Sequence, residues 1–252
     1  AVRLRGVERC TGLTELVIDD TEGLGQELAA MGGGLPGLSR LRRLALHCTG
    51  NGGVGAGELA LLGRLPALRD LALDGCFLED AGIPAALRRL TGLERLAVDW
   101  GEVSAFPAMS PAARGAVASM ARLRTLLMPM ADAPGDDDCC AALQCLEDLE
   151  MIYDGEHSGP LGGASWALRL TGLTRLHASA DLSDTFAAGA AVRLTALRSL
   201  EIDDGWSCSR SAGDAFAPAL AAATGLTALR VQGRVGDAGA EAAAGLLRLR
   251  RR

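Results

Sequence analysis

The stretch LRDLALDGCFL, from Leu68 to Leu78, sets apolar residues at Leu68, Leu71, Leu73 and Leu78, with the small Cys76 between the last two. Copies of it recur at intervals of 23 to 30 residues. Aligned on Leu68, the starts are Leu13, Leu41, Leu68, Leu93, Leu123, Leu146, Leu173, Leu197, Leu226 and Leu249. In the first nine an apolar residue follows three and five positions later, as in Leu16 and Ile18, Leu44 and Leu46, Leu96 and Val98, Leu126 and Met128, or Leu149 and Met151. The two side chains of each pair point to one face of a short strand, and the residues between and beside them point to the other. One such strand cannot bury its apolar face alone. The repeats must therefore stack, each covering the next.

The positions of Leu68, Leu71, Leu73, Cys76 and Leu78 match LxxLxLxxCxL, and the chain resembles a leucine-rich repeat protein over nearly its whole length. The resemblance implies an α/β solenoid, a curved horseshoe with a parallel sheet on its concave face and helices on its convex face. It implies a single array, 1-252, of about nine to ten repeats. Helical spacing falls between the strands at 57–65, 80–90, 111–120, 185–194, 214–223 and 237–247, several opening with aspartate or with serine before proline, which suits a helix start. VGDAGAEAAAGL from Val235 and LEDAGIPAAL from Leu78 resemble the helix halves of ribonuclease-inhibitor-type repeats. LTGLERL from Leu90 and LPALRDL from Leu65 resemble shorter classes, so a mixed subclass is expected. At the position of Cys76 the other repeats carry Thr21, Thr49, Gly101, Ala131, Asp154, Asp181, Gly205 and Arg234, so the asparagine ladder of more regular arrays is largely missing. The sequence begins at Ala1 and stops at Arg252 inside a tenth repeat with no polar cap, which leads to the expectation of a fragment.

Composition narrows the chemistry. Apolar residues make up 49% of the chain and aromatics 3%, so the core must be aliphatic. A net charge of −6 argues against general nucleic-acid binding, which needs a basic stripe to neutralise phosphates. All 25 basic residues are arginine, which excludes Schiff-base and P-loop lysine chemistry. No charge-free apolar run of membrane-spanning length occurs, and the first thirty residues lack the pattern of a signal peptide. The seven cysteines, Cys10, Cys48, Cys76, Cys139, Cys140, Cys145 and Cys208, are odd in number and irregular in spacing. Reduced, mostly buried thiols in a cytoplasmic or nuclear compartment are expected, with Cys10 in the core before the first strand.

Few motifs carry catalytic chemistry. Gly50-Asn-Gly-Gly-Val-Gly55 is a literal GxGxxG, but the repeat already explains the strand and helix around it. Cys139, Cys140 and Cys145 lack the CxxC spacing of a zinc site, and Asp136 to Asp138 lack the alternation of a calcium loop. His47 and His177 fall five repeats apart, and neither Ser165 nor Ser179 makes a nucleophile motif with His177. No enzyme, metal or cofactor is expected.

The outward strand positions read differently. They are rich in acids, among them Asp19, Asp70, Asp74, Asp99, Asp148, Glu150, Glu201 and Asp203, and in the middle repeats these positions and the one beyond them carry Trp100, Leu127, Met130, Ile152 and Tyr153. Large apolar residues clustered at exposed positions point to a contact surface. The expected function is a monomeric, non-enzymatic protein-interaction module that grips a partner with a basic rim through Trp100, Leu127, Met130, Ile152, Tyr153, Asp74, Asp99, Glu150 and Asp203, and binds neither nucleic acid nor membrane. Two alternatives are the substrate-recognition part of an F-box-type ubiquitin ligase and a regulator or inhibitor of an enzyme. A nucleotide-dependent enzyme using Gly50 to Gly55 is the remaining one.

Overall fold

The computed structural model describes residues 6–19, 37–47, 55–75, 82–99, 111–129, 139–152, 162–179, 193–203 and 225–232. Its most repeated feature is a turn. In Leu65-Pro66-Ala67-Leu68 the amide of Leu68 donates to the carbonyl of Leu65, which aims both leucines inward. The same bond closes the turns ending at Leu13, Leu41, Leu93, Leu123, Leu146, Leu173 and Leu197, with N···O distances from 2.9 to 3.3 Å across the set. From Leu38 onward both end residues of these turns are buried. The first turn differs, because Cys10 is exposed and Leu13 half-buried; the core position expected for Cys10 is corrected to a surface one.

After each turn, one backbone carbonyl joins the repeat to the next. The carbonyl of Arg42 accepts the amides of both Arg69 and Asp70 at 2.9 Å, and that of Arg69 accepts Glu94 and Arg95 at 2.8 and 2.9 Å. Thr14, Glu94, Glu147, Thr174 and Arg198 repeat the arrangement. A doubly bonded acceptor fixes where the next strand starts.

The chain divides into two compact units, Ala1–Pro129 and Met130–Arg252. In the first, strands β1 (Glu15–Ile18), β2 (Arg43–His47), β3 (Asp70–Asp74), β4 (Arg95–Asp99) and β5 (Thr125–Pro129) pair in sequence order, all parallel. Their register aligns Leu16, Leu44, Leu71, Leu96 and Leu126. In β3, Leu71 and Leu73 are buried while Asp70, Ala72 and Asp74 are not, the period-two pattern of a half-buried strand. In the second unit, β6 (Asp148–Ile152), β7 (Arg175–Ser179), β8 (Ser199–Asp203) and β9 (Ala228–Gln232) pair in the same way, with Leu149, Leu176, Leu200 and Leu229 aligned. These sheets, their turns and the helical segments between strands form the α/β leucine-rich repeat solenoid that the repeat pattern implies.

The helical segments are shorter than expected. In the first unit α1 (Ala56–Leu62), α2 (Ile83–Leu87) and α3 (Pro111–Ala118) occupy parts of the three spans read from the sequence, and α2 packs against both neighbours. α1 and α2 follow Gly55 and Gly82 with no side-chain cap, and Asp80, which opens the second expected span, lies outside the described residues. Each inter-strand stretch has only to return the chain to the next turn while burying a few residues, as Leu59 and Leu62 are buried in α1. In the second unit two described return segments are 3₁₀ helices, Cys139–Ala142 and Gly162–Arg169, packed against each other. Trp166, 1% exposed, fills that core, an aromatic plug in a largely aliphatic interior. Cys140 is buried, whereas Cys145, expected to pack inside, is exposed within its turn.

The helices expected at 214–223 and 237–247 lie outside the described residues, as does 185–194 apart from Arg193 and Leu194. So do Cys76 and the positions aligned with it. No described helix is long and apolar enough to cross a membrane.

Burial separates two substitutions cleanly. Leu71, fully buried at the centre of the first unit, is expected to cost about 2–5 kcal/mol when cut to alanine. Val17, 47% exposed on β1, is expected to cost no more than about 0.5 kcal/mol when changed the same way. Urea denaturation checks both, and equal losses would contradict the assignment of the core face.

Candidate interaction wall

Turning the leucines inward turns three residues of each strand outward, and the register lines them up in rows. In the first unit the row at the strand starts is Glu15, Arg43, Asp70, Arg95 and Thr125. Charges alternate along it. Arg43 lies 3.3 Å from Glu15 and 3.6 Å from Asp70, and Arg95 donates to the other carboxylate oxygen of Asp70 at 3.1 Å. Asp70 is thus held between two guanidinium groups on adjacent strands.

The middle row is Val17, Ala45, Ala72, Ala97 and Leu127. Ala45 and Ala97 are only 3% and 8% exposed, and Ala72 between them is half-buried. The third row continues from Asp19 through His47, Asp74 and Asp99. His47 Nδ1 donates to Asp74 at 2.9 Å, with Asp19 3.7 Å from its other nitrogen. Three carboxylates share this row with one imidazole.

The second unit arranges charge differently. Its first row is Asp148, Arg175, Ser199 and Ala228, with Arg175 2.9 Å from Asp148. Its middle row is charged rather than alanine: Glu150, His177, Glu201 and Arg230. His177 Nδ1 donates to Glu150 at 2.9 Å, and Arg230 lies 2.9 Å from Glu201. Nε2 of His177 is buried with no hydrogen-bond partner among the described residues.

Of the nine residues expected to contact a partner, six fall on described backbone. Asp74, Asp99 and the half-buried Leu127 are in the first unit; Glu150, Ile152 and Asp203 are in the second. Trp100, Met130 and Tyr153 lie outside the described residues. What sequence reading missed is the arginine at three of the nine described strand starts. Arg43, Arg95 and Arg175 occupy the position that Asp70 and Asp148 hold elsewhere, and comparing that one position between neighbouring repeats would have revealed the alternation. The Gly50 to Gly55 loop lies outside the described residues except for Gly55, which precedes α1. Among the described residues no group of three or more metal-ligating side chains comes together.

No protein-family model and no curated protein matches the chain. Among solved structures it is similar to an internalin from Listeria monocytogenes, at 17% identity and a TM-score of 0.47. The likeness covers 92% of this chain, which spans 65% of the internalin's length.

Cross-strand pairs in partial solvent contribute about 0.2–1 kcal/mol each. A double-mutant cycle on Asp70→Asn and Arg95→Gln is expected to give a coupling in that range at low salt, shrinking as salt is added. A coupling of zero at low ionic strength would show that the ladder does not form in solution.

Proposed function

We propose that the protein is a non-enzymatic protein-interaction module of the cytoplasm, acting as one array of nine to ten repeats that presents the outward face of its sheet to a protein partner. The observation that carries this reading is the wall itself: rows of charge held in register by parallel strand pairing, with a third row in the first unit where three carboxylates accompany one imidazole. Such a face favours a partner with a basic rim, since complementary charge steers encounter and fixes orientation. The compartment is inferred from the odd number and irregular spacing of the cysteines. A mixed repeat subclass, part ribonuclease-inhibitor-like, belongs to the same reading and is supported by α-helical returns in the first unit and 3₁₀ returns in the second.

On this proposal Trp100, Leu127, Met130, Ile152 and Tyr153 supply the apolar contact, while Asp74, Asp99, Glu150 and Asp203 supply the charged surround. Buried aromatic anchors carry most of the energy in such interfaces. The test is affinity capture from the native lysate, followed by quantitative binding of the captured partner to variants. Trp100→Ala and Tyr153→Ala are each expected to cost at least about 2 kcal/mol, roughly thirtyfold in affinity. Reversing Asp74 and Asp99 to arginine is expected chiefly to slow association. If both aromatic variants stay folded and bind as tightly as the parent, the wall is not the binding face.

A further inference from the structure

Away from the wall, charge is distributed very unevenly along the strands of the first unit. The turns that lead into β2, β3, β4 and β5, over 38–42, 63–69, 88–94 and 119–124, carry eight arginines and a single acid, Glu94. The strand ends opposite carry Asp19, Asp74 and Asp99. A chain with net charge −6 therefore has one strongly basic edge.

A cleft of about 450 Å³ opens in that edge between the turns entering β3 and β4. Arg69, Arg89 and Arg122 line it without any acidic residue, together with Pro66 and several leucines. Two glycines shape it. A Cβ at Gly92 would stand 2.8 Å from Nη1 of Arg69, so the glycine leaves room for that guanidinium, which donates to the carbonyl of Leu68 in its own turn at 2.9 Å. A Cβ at Gly63 would stand 3.0 Å from Cβ of Arg89, so this glycine permits the close approach of the segments after α1 and α2. Arg69 also lies 3.6 Å from Glu94, whereas Arg89 and Arg122 are exposed and make no ion pair among the described residues.

Neither α1 nor α2 carries a basic residue in its last turn, where arginine would complement the helix dipole. The dipole therefore does not account for Arg69 or Arg122, which lie in the turns beyond the helices. We propose that this edge binds an acidic polypeptide segment, with carboxylates on Arg69, Arg89 and Arg122 and an apolar side chain of the segment packed on the exposed ring of Pro66 at the rim of the cleft. The planar guanidinium fork matches a carboxylate with two parallel hydrogen bonds. Single-stranded nucleic acid is the poorer match, because these turns hold no aromatic side chain on which a base could stack. The edge is distinct from the outward wall, so this site does not depend on the wall binding a partner.

The probe is a dye-labelled peptide of alternating glutamate and leucine, followed by fluorescence anisotropy with the full chain at low salt. The expected result is saturable binding that weakens with salt, is lost in the glutamine–leucine analogue, and falls at least about tenfold in the Arg89→Glu/Arg122→Glu double variant. Trp100→Ala and Asp99→Asn are expected to bind the probe like the parent, which separates failure of this site from failure of the wall. Circular dichroism establishes that the double variant is folded; should it not be, Arg122→Gln alone gives the same readout with a smaller loss. The proposal is overturned if the parent does not bind the peptide, if folded arginine variants bind it unchanged, or if an oligothymidylate of equal charge binds as tightly.

Discussion

The carbonyl of Arg69 accepts two amides from the next repeat, Glu94 and Arg95, and the position of every side chain on β4 follows from that acceptor. Both bonds are backbone to backbone, so the residue supplying the oxygen is free to vary; Thr14, Arg42, Arg69, Glu94, Glu147, Thr174 and Arg198 all serve. What is not free is the pair of residues closing the turn just before it, such as Leu65 and Leu68, whose burial holds the acceptor in place. A shift of one residue in the pairing would turn Leu96 and Val98 outward and Arg95 and Ala97 inward. Losing two buried aliphatic side chains from the core is worth several kcal/mol, about 1.5–3 kcal/mol for each. The register is therefore set by the core, and the outer face inherits it.

That inheritance explains the wall. Aligned strand starts bring Arg43 between Glu15 and Asp70, and Arg95 against Asp70, so acids that look bare along the sequence stand beside guanidinium groups in space. The charges lie on successive strands about 5 Å apart, within reach of an arginine side chain. It also explains the polarity of the first unit. Arginines cluster in the turns and aspartates at the strand ends, and parallel strands in register put all the turns on one edge. In an antiparallel sheet the same sequence bias would cancel between neighbours.

The turns and strands were readable because each rests on leucines at fixed short spacing, and burial leaves those positions little choice. Fold class, strand positions and the pairing of neighbouring repeats came from that pattern. The return segments were harder. Residues 80–90 read as one helix, but among the described residues of that span the α-helix is Ile83–Leu87, and Leu90 already belongs to the next turn. Trp166 gave no periodic signal, because a single large residue filling the core of one repeat has no counterpart in the others. Cys10, expected inside by its place before the first strand, and Cys145, expected inside as a packing thiol, are both exposed in their turns. On the wall the acids were found and their arginine partners were not, because the pairing is set by which strand lies alongside rather than by distance along the chain. Leu127 sits at a half-buried outward position next to Ala97, as its place in the repeat implied.

Amide hydrogen exchange tests the stacking most directly. The account predicts that the paired amides of Arg69 and Asp70, of Glu94 and Arg95, and of Arg198 and Ser199 exchange slowly, with protection comparable to the strand interiors, because each pair is held by a carbonyl of the preceding repeat. Exchange of these amides at the rate of an unstructured peptide, with the strand centres still protected, would contradict the claim that a shared carbonyl sets the register of one repeat on the next.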